Sequence, residues 1–154
     1  MWIELDEELA RHFSGDTAFD ELMACEGEKF RHLKTRRTLK FERGGKNYFI
    51  KIHRAIGWRE VWKNWLGFKR PVTSARIEWM AIERLQALGV PTLNVVGRGI
   101  RGKAPAHEES FVVTEALEGM ISLEQLTQNW GSLPPSQRLA LKRELIRQVA
   151  TIAR

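Results

Sequence analysis

Two ionisable residues fall where apolar side chains belong. Lys51 lies in KNYFIKIH (46–53), whose alternation reads as a strand, between Ile50 and Ile52 and on the side of Phe49. Glu78 lies in TSARIEWMAIERLQALG (73–89), the clearest helix of the chain, on the stripe of Ala81, Ile82, Leu85 and Leu88. An ammonium on an inward-facing strand costs free energy unless it is paired or bound to an anion. A strand lysine and a helix carboxylate can form that pair. Phosphotransfer sites use the same pair, the lysine holding nucleotide phosphates and the glutamate fixing the lysine. The plain alternative is a lysine that snorkels to an edge and a glutamate at a helix boundary. Glu83, on another face with Arg76 and Ala87, is expected in solvent.

A third feature fits the same chemistry. The strand SFVVTEAL runs into Glu115, Ala116 and Leu117, then Gly119 and a short helix. Backbone N–H and C=O groups at such a crossing can hydrogen-bond an adenine edge. A strand end followed by an ordinary turn is the simpler account.

The elements that must position these residues can be read along the chain. GDTAFDELMA (15–24) reads as a short helix with Asp16 as its N-cap. Residues 29–53 read as consecutive strands, with a break near residues 34–36 and a tight turn at Gly44-Gly45. Residues 73–89 form a helix capped by Thr73 or Ser74 and ended by Gly89 ahead of Pro91. TLNVVGRGI and SFVVTEAL are two further strands, SLEQLTQ (122–128) starts a short helix, and an amphipathic helix follows Pro134-Pro135, with Leu139, Leu145, Ile146, Val149 and Ile152 among its apolar positions. Strands, helix, strands, helix is an α+β order.

Composition narrows the class. With 43% hydrophobic and 29% charged residues in 154, the chain is neither disordered nor a membrane span. The single Cys25 excludes an internal disulfide and fits a reducing compartment. The acidic opening MWIELDEELARHF lacks the apolar core of a secretory signal, so a cytoplasmic protein is expected. The net charge of +6 is uneven: residues 1–28 carry nine acids against one Arg, whereas residues 29–70 carry fourteen Lys/Arg against two Glu. That basic block should attract phosphate-rich partners, or simply solvate one face.

With these residues in view, the sequence resembles the lipopolysaccharide core heptose(I) kinase family, small bacterial members of the protein-kinase-like superfamily. The resemblance rests on FRHLKTRRTLKFERGGKNYFIKIHR, IEWMAIERLQALGV, FVVTEALEGMISLEQL and LIRQVATIAR, and covers nearly the whole chain. It implies a kinase-like N-terminal lobe over residues 1–117: an antiparallel sheet of about five strands with a packed helix, and a Trp-rich basic insertion at 57–72. Residues 118–154 would be the hinge exit and first helices of a C-terminal lobe. The family's nucleotide lysine falls on Lys51, its partner on Glu78 and its hinge on Glu115, Ala116 and Leu117. Transfer of the ATP γ-phosphate to a heptose of the lipopolysaccharide inner core is implied, with Mg²⁺ as the metal. The acceptor is lipid-linked, so peripheral contact with the inner face of the cytoplasmic membrane follows.

The sequence departs from the kinase pattern in two places. No Gly-x-Gly-x-x-Gly loop precedes Lys51; the turn is HLKTRR, and Arg36 and Arg37 are candidates for holding phosphate, or exposed strand residues. The only aspartates are Asp6, Asp16 and Asp20, and no His-Arg-Asp string occurs. Acids that position the acceptor hydroxyl and hold metal are therefore not in these residues, and this chain alone is expected to be inactive.

The basic block also carries Trp58, Trp62 and Trp65 on one helical face, with Arg59 and Lys63 elsewhere on the surface. The row reads as core, or as an interfacial surface for anionic headgroups or a phosphorylated acceptor. Three other functions compete: a nucleic-acid module stacking bases on Tyr48 and Phe49, a non-catalytic kinase-like adaptor, and a kinase acting on the neighbouring octulosonic acid. The first leaves the Lys51–Glu78 coincidence without a reason.

Overall fold

The computed structural model describes residues 1–33, 35–66, 74–104 and 106–153. Its strands are β1 (Trp2–Leu5), β2 (Glu28–Leu33), β3 (Arg36–Arg43), β4 (Lys46–His53), β5 (Val95–Arg101) and β6 (Glu109–Glu115). Its helices are α1 (Glu7–Ala10), α2 (Ala18–Ala24), α3 (Gly57–Leu66), α4 (Arg76–Ala87), α5 (Leu123–Gln128) and α6 (Pro135–Ile152). The strands form one antiparallel sheet in the order β1-β5-β6-β4-β3-β2. The expected antiparallel sheet of about five strands is present, with six among the described residues because the acidic N-terminus contributes β1 at one edge.

Strand alternation gives this sheet two covered faces. On the back, Leu39, Phe41, Tyr48, Ile50, Ile52, Phe111 and Val113 meet Leu9, Phe19 and Leu22 from the N-terminal helices and Phe13 from the turn between them. Each such buried side chain contributes about 1.5–3 kcal/mol. On the front, Phe49, Lys51, Val112 and Thr114 face α4, whose Trp79 packs on Val112. Lys51 thus sits on the front face of a strand whose alternate residues, Tyr48, Ile50 and Ile52, build the rear core.

Two details fix this arrangement. Gly44 and Gly45 have φ of 58° and 78°, the left-handed pair that a two-residue hairpin needs, and they set the β3–β4 register. Gly99 leaves room for the contact between Phe19 and Phe111: a Cβ there would lie 2.6 Å from Phe111 and 3.1 Å from Phe19.

Helix ends differ from expectation. α2 begins after Thr17, not Asp16, and the Thr17 hydroxyl donates to Glu21 instead of capping the backbone. α4 begins after Ala75, whose N–H donates to the β6 hydroxyl of Ser110 at 2.9 Å, while Ser74 Oγ accepts from Arg76 N–H. Thr73 lies outside the described residues. Gly89, φ 70°, does end the helix. The packing strip of α4 is Ala75, Trp79 and Ile82; Ala81 and Leu88 face outward. α5 has the expected start, a capping box between Ser122 and Gln125. α6 keeps Leu139, Ile146 and Val149 exposed.

Candidate functional site

β4 and α4 bring Lys51 and Glu78 together. Lys51 Nζ donates to both carboxylate oxygens of Glu78 at 2.6 Å. The pair closes one side of a cavity of about 310 Å³ on the front face. Thr38, Phe49, Val112 and Thr114 form its floor, and Leu93, Glu115 and Leu117 its rim. An apolar slot with one cation at its inner end suits a flat heteroaromatic ring carrying an anionic tail.

The rim is held from both sides. Glu115 N–H donates to Asn94 C=O, and its carboxylate accepts from Asn94 Nδ2 at 2.9 Å. Ala116 N–H donates to Asn47 C=O, and Asn47 Nδ2 reaches Glu118 at 2.8 Å. Residues 115–117 are therefore anchored by the strand ends on either side, and Gly119, φ 70°, turns the chain away.

The two candidate arginines separate. Arg36 stands opposite His53 in the β3–β4 ladder, and its charge acts on His53 beside Lys51. Arg37 stands opposite Ile52 on the rear face, and its Nη2 donates to Met23 C=O at 2.5 Å. Burial and the neighbouring Arg54 guanidinium lower its proton affinity, and its Nε is buried without a hydrogen-bond partner. Arg37 holds α2 to the sheet, and neither Arg36 nor Arg37 is among the residues that line the cavity.

His53 lies beside the site unannounced. It lies two residues beyond Lys51 on the same face and is only 4% exposed. Burial pushes its pKa down to about 4, helped by Arg36 and Lys51 and opposed by Glu78. It is neutral at pH 7, so among the described residues Lys51 is the one cation of the cavity lining, with the charge of Arg36 acting beside it on His53. Period-two counting from Lys51 was the available signal.

Glu83 is exposed, as expected, but it also has a partner. It forms an ion pair with Arg98 of β5, which also holds Glu4 of β1 at 3.0 Å. The tryptophan row is partly visible. Trp58 and Trp62 are 50% and 57% exposed, so neither is core; Trp58 meets His107 edge-on at 6.5 Å. Arg59 and Lys63 are exposed beside them. The side chain of Trp65 and residues 67–73 lie outside the described set.

Among the described residues, no three His, Cys, Asp or Glu side chains gather to hold a metal. At the cavity, Glu78 is engaged by Lys51 and Glu115 by Asn94. Both carboxylates at the cavity are thus committed to protein partners. No helix among those described is long and apolar enough to cross a membrane.

Comparison with known proteins finds relatives that match most of the chain. Residues 20–154 match the family model described as lipopolysaccharide kinase (Kdo/WaaP) family. The chain is 45% identical over 150 residues to the lipopolysaccharide core heptose(I) kinase WaaP of Pseudomonas aeruginosa, covering 97% of this chain and 55% of that protein. It is 45% identical over 152 residues to the Escherichia coli K12 protein of the same name, covering 99% and 57%. A solved structure of WaaP in complex with acyl carrier protein superposes with a TM-score of 0.74 at 37% identity, over 98% of this chain and 56% of that one. The chain thus spans about half the length of the relatives it matches.

Proposed function

Because this chain belongs to the lipopolysaccharide kinase (Kdo/WaaP) family, we propose that it is the nucleotide-holding part of an ATP-dependent kinase acting on a heptose of the lipopolysaccharide core. The observation that carries the reading is the Lys51–Glu78 pair at the inner end of a cavity rimmed by Glu115 and Leu117. Adenine would lie between Phe49, Val112 and Leu93, its edge toward the backbone of residues 115–117. Its phosphates would meet Lys51, with Arg36 and the turn before it as further donors. ATP supplies the transferable phosphoryl group. What these residues contribute is binding and orientation: Glu78 keeps the ammonium in one place, so little ordering remains when phosphate arrives.

Residues 1–117 serve as the nucleotide lobe and residues 118–154 as the exit from the hinge. No Asp follows residue 20 in this sequence, so acceptor activation and Mg²⁺ binding are assigned to residues outside it, and the 154 residues alone bind nucleotide without transferring phosphate. Titration of the chain with a fluorescent ATP analogue tests this. Saturable binding that Lys51→Ala weakens supports it; equal binding by both proteins overturns it.

We further propose that the exposed Trp58, Arg59, Trp62 and Lys63 of α3 meet the anionic surface of the lipid-linked acceptor at the inner face of the cytoplasmic membrane. Sedimentation with anionic vesicles, lost on Trp58→Ala with Arg59→Ala, checks this surface; undiminished sedimentation would refute it. The relative solved with acyl carrier protein makes that protein a further proposed partner, tested by co-purification. A base-stacking role is disfavoured, since Tyr48 is 1% exposed in the rear core and Phe49 lines the cavity.

A further inference from the structure

The sheet registers place five residues in one row across the strands. Thr38 pairs with Lys51, Lys51 with Val112, Val112 with Arg98, and Arg98 with Glu4. α4 lies over this row and touches it at three points. Glu78 takes Lys51 on β4, Trp79 packs on Val112 of β6, and Glu83 takes Arg98 on β5. The helix is therefore tied by two ion pairs of the same polarity, one on each side of a buried tryptophan. A single tie would let a helix roll about Trp79; two ties on opposite sides fix its rotation.

The second tie is itself supported. The Arg98 guanidinium holds Glu4 through Nε and Nη2 at 3.0–3.2 Å, so its fork is committed to β1 on one side and to α4 on the other. It also lies 5.5 Å from the centre of the Trp2 ring, and Trp2 in turn contacts Trp79 at 6.2 Å between ring centres. β1 is four residues long and forms the sheet edge. Apart from this network, its front-facing residues Trp2 and Glu4 are exposed.

We infer that Arg98 is a positioning residue for the Lys51–Glu78 pair: with Glu83, and with Glu4 and Trp2 of β1, it fixes the rotation of α4 that keeps Glu78 on Lys51. Its action reaches the nucleotide cavity through the helix, since Arg98 itself does not line it. This rests on the proposed role of Lys51 only where nucleotide affinity is the readout. The geometric claim stands without it.

The experiment reads the pair and the nucleotide separately. The side-chain ammonium NMR signal of Lys51, assigned with Lys51→Arg, reports its ion pair without ligand, and Glu78→Gln supplies the unpaired reference. A fluorescent ATP analogue reports affinity. Arg98→Ala and Glu83→Gln are expected to move the Lys51 signal toward the Glu78→Gln position and to weaken analogue binding about threefold or more, as coupling within one network requires. Arg98→Lys recovers part of both. Arg101→Ala, which removes another β5 ion-pair partner, changes neither. Glu83 is half exposed, so Glu83→Gln keeps the test valid should Arg98→Ala unfold. A Lys51 signal left at its wild-type position by Glu83→Gln, and by Arg98→Ala where that variant folds, overturns the inference. A signal that moves while even the wild type binds no analogue leaves the positioning role standing and refutes the nucleotide reading of the cavity.

Discussion

Lys51 Nζ lies 2.6 Å from each carboxylate oxygen of Glu78, although the two side chains keep 38% and 33% of their surface in contact with solvent. A pair so exposed adds only about 0–1 kcal/mol to stability. Its geometry, with one ammonium shared by both oxygens at the end of an apolar slot, has a clearer consequence for an incoming anion than for folding.

Removing the lysine should therefore separate stability from binding. Lys51→Ala and Glu78→Gln are expected to shift the urea unfolding free energy by no more than about 1 kcal/mol. Lys51→Ala should weaken ATP binding about tenfold or more, the scale of a lost charge-assisted hydrogen bond. Glu78→Gln leaves the ammonium present but unheld, so its loss of affinity should be smaller, and the double variant should lose little beyond Lys51→Ala. Fully additive losses in the cycle would mean that Glu78 acts independently of Lys51.

The opposite pattern is expected on the rear face. A methyl group at Gly99 would stand 2.6 Å from the Phe111 ring and 3.1 Å from Phe19. Both rings are fully buried and pack against each other. Gly99→Ala should thus destabilise the chain by about 1–3 kcal/mol while leaving nucleotide affinity of the folded fraction near that of the wild type. Urea unfolding monitored by circular dichroism measures the first and analogue titration the second. An unchanged unfolding midpoint would show that the rear core yields without cost.

What the sequence disclosed, and what it hid, follows from how far each signal reaches. Lys51 and Glu78 stood out because a charge on an apolar stripe is a local contradiction. The β3–β4 hairpin was legible because Gly44-Gly45 permits one turn geometry. From that turn the register could have been counted: it sets Arg37 opposite Ile52, a rear-face residue, and Arg36 opposite His53 on the front. Grouping Arg36 with Arg37 overlooked that count. β1 was hidden for another reason. WIEL is too short to declare itself, and its alternation acquires meaning only beside β5, roughly a hundred residues away. The strip of α4 was misjudged because Ala81, Leu85 and Leu88 outnumber Trp79, although Trp79 buries the larger side chain. Glu83 is solvated as read, but its pair with Arg98 was missed because nothing local announces Arg98.

His53 gives the most specific expectation for pH. In the folded chain it takes up a proton only near pH 4, against about 6.5 when free, because it is buried and faces Arg36 and Lys51, with Glu78 the one opposing charge. As pH falls through 6.5 the unfolded chain binds this proton first, so the unfolded state is favoured progressively until the folded histidine titrates near 4. Stability from this group is complete above about pH 6.5 and declines by about 3 kcal/mol by pH 4. Urea unfolding at half-unit pH steps should show that decline in the wild type and a flatter profile in His53→Gln, whose side chain does not titrate. Profiles that remain parallel between pH 6.5 and 4 would place the acid sensitivity elsewhere. A bound polyphosphate should also soften the decline by offsetting the positive charge of Arg36 and Lys51, so the same series with ATP present links the histidine to the occupied cavity.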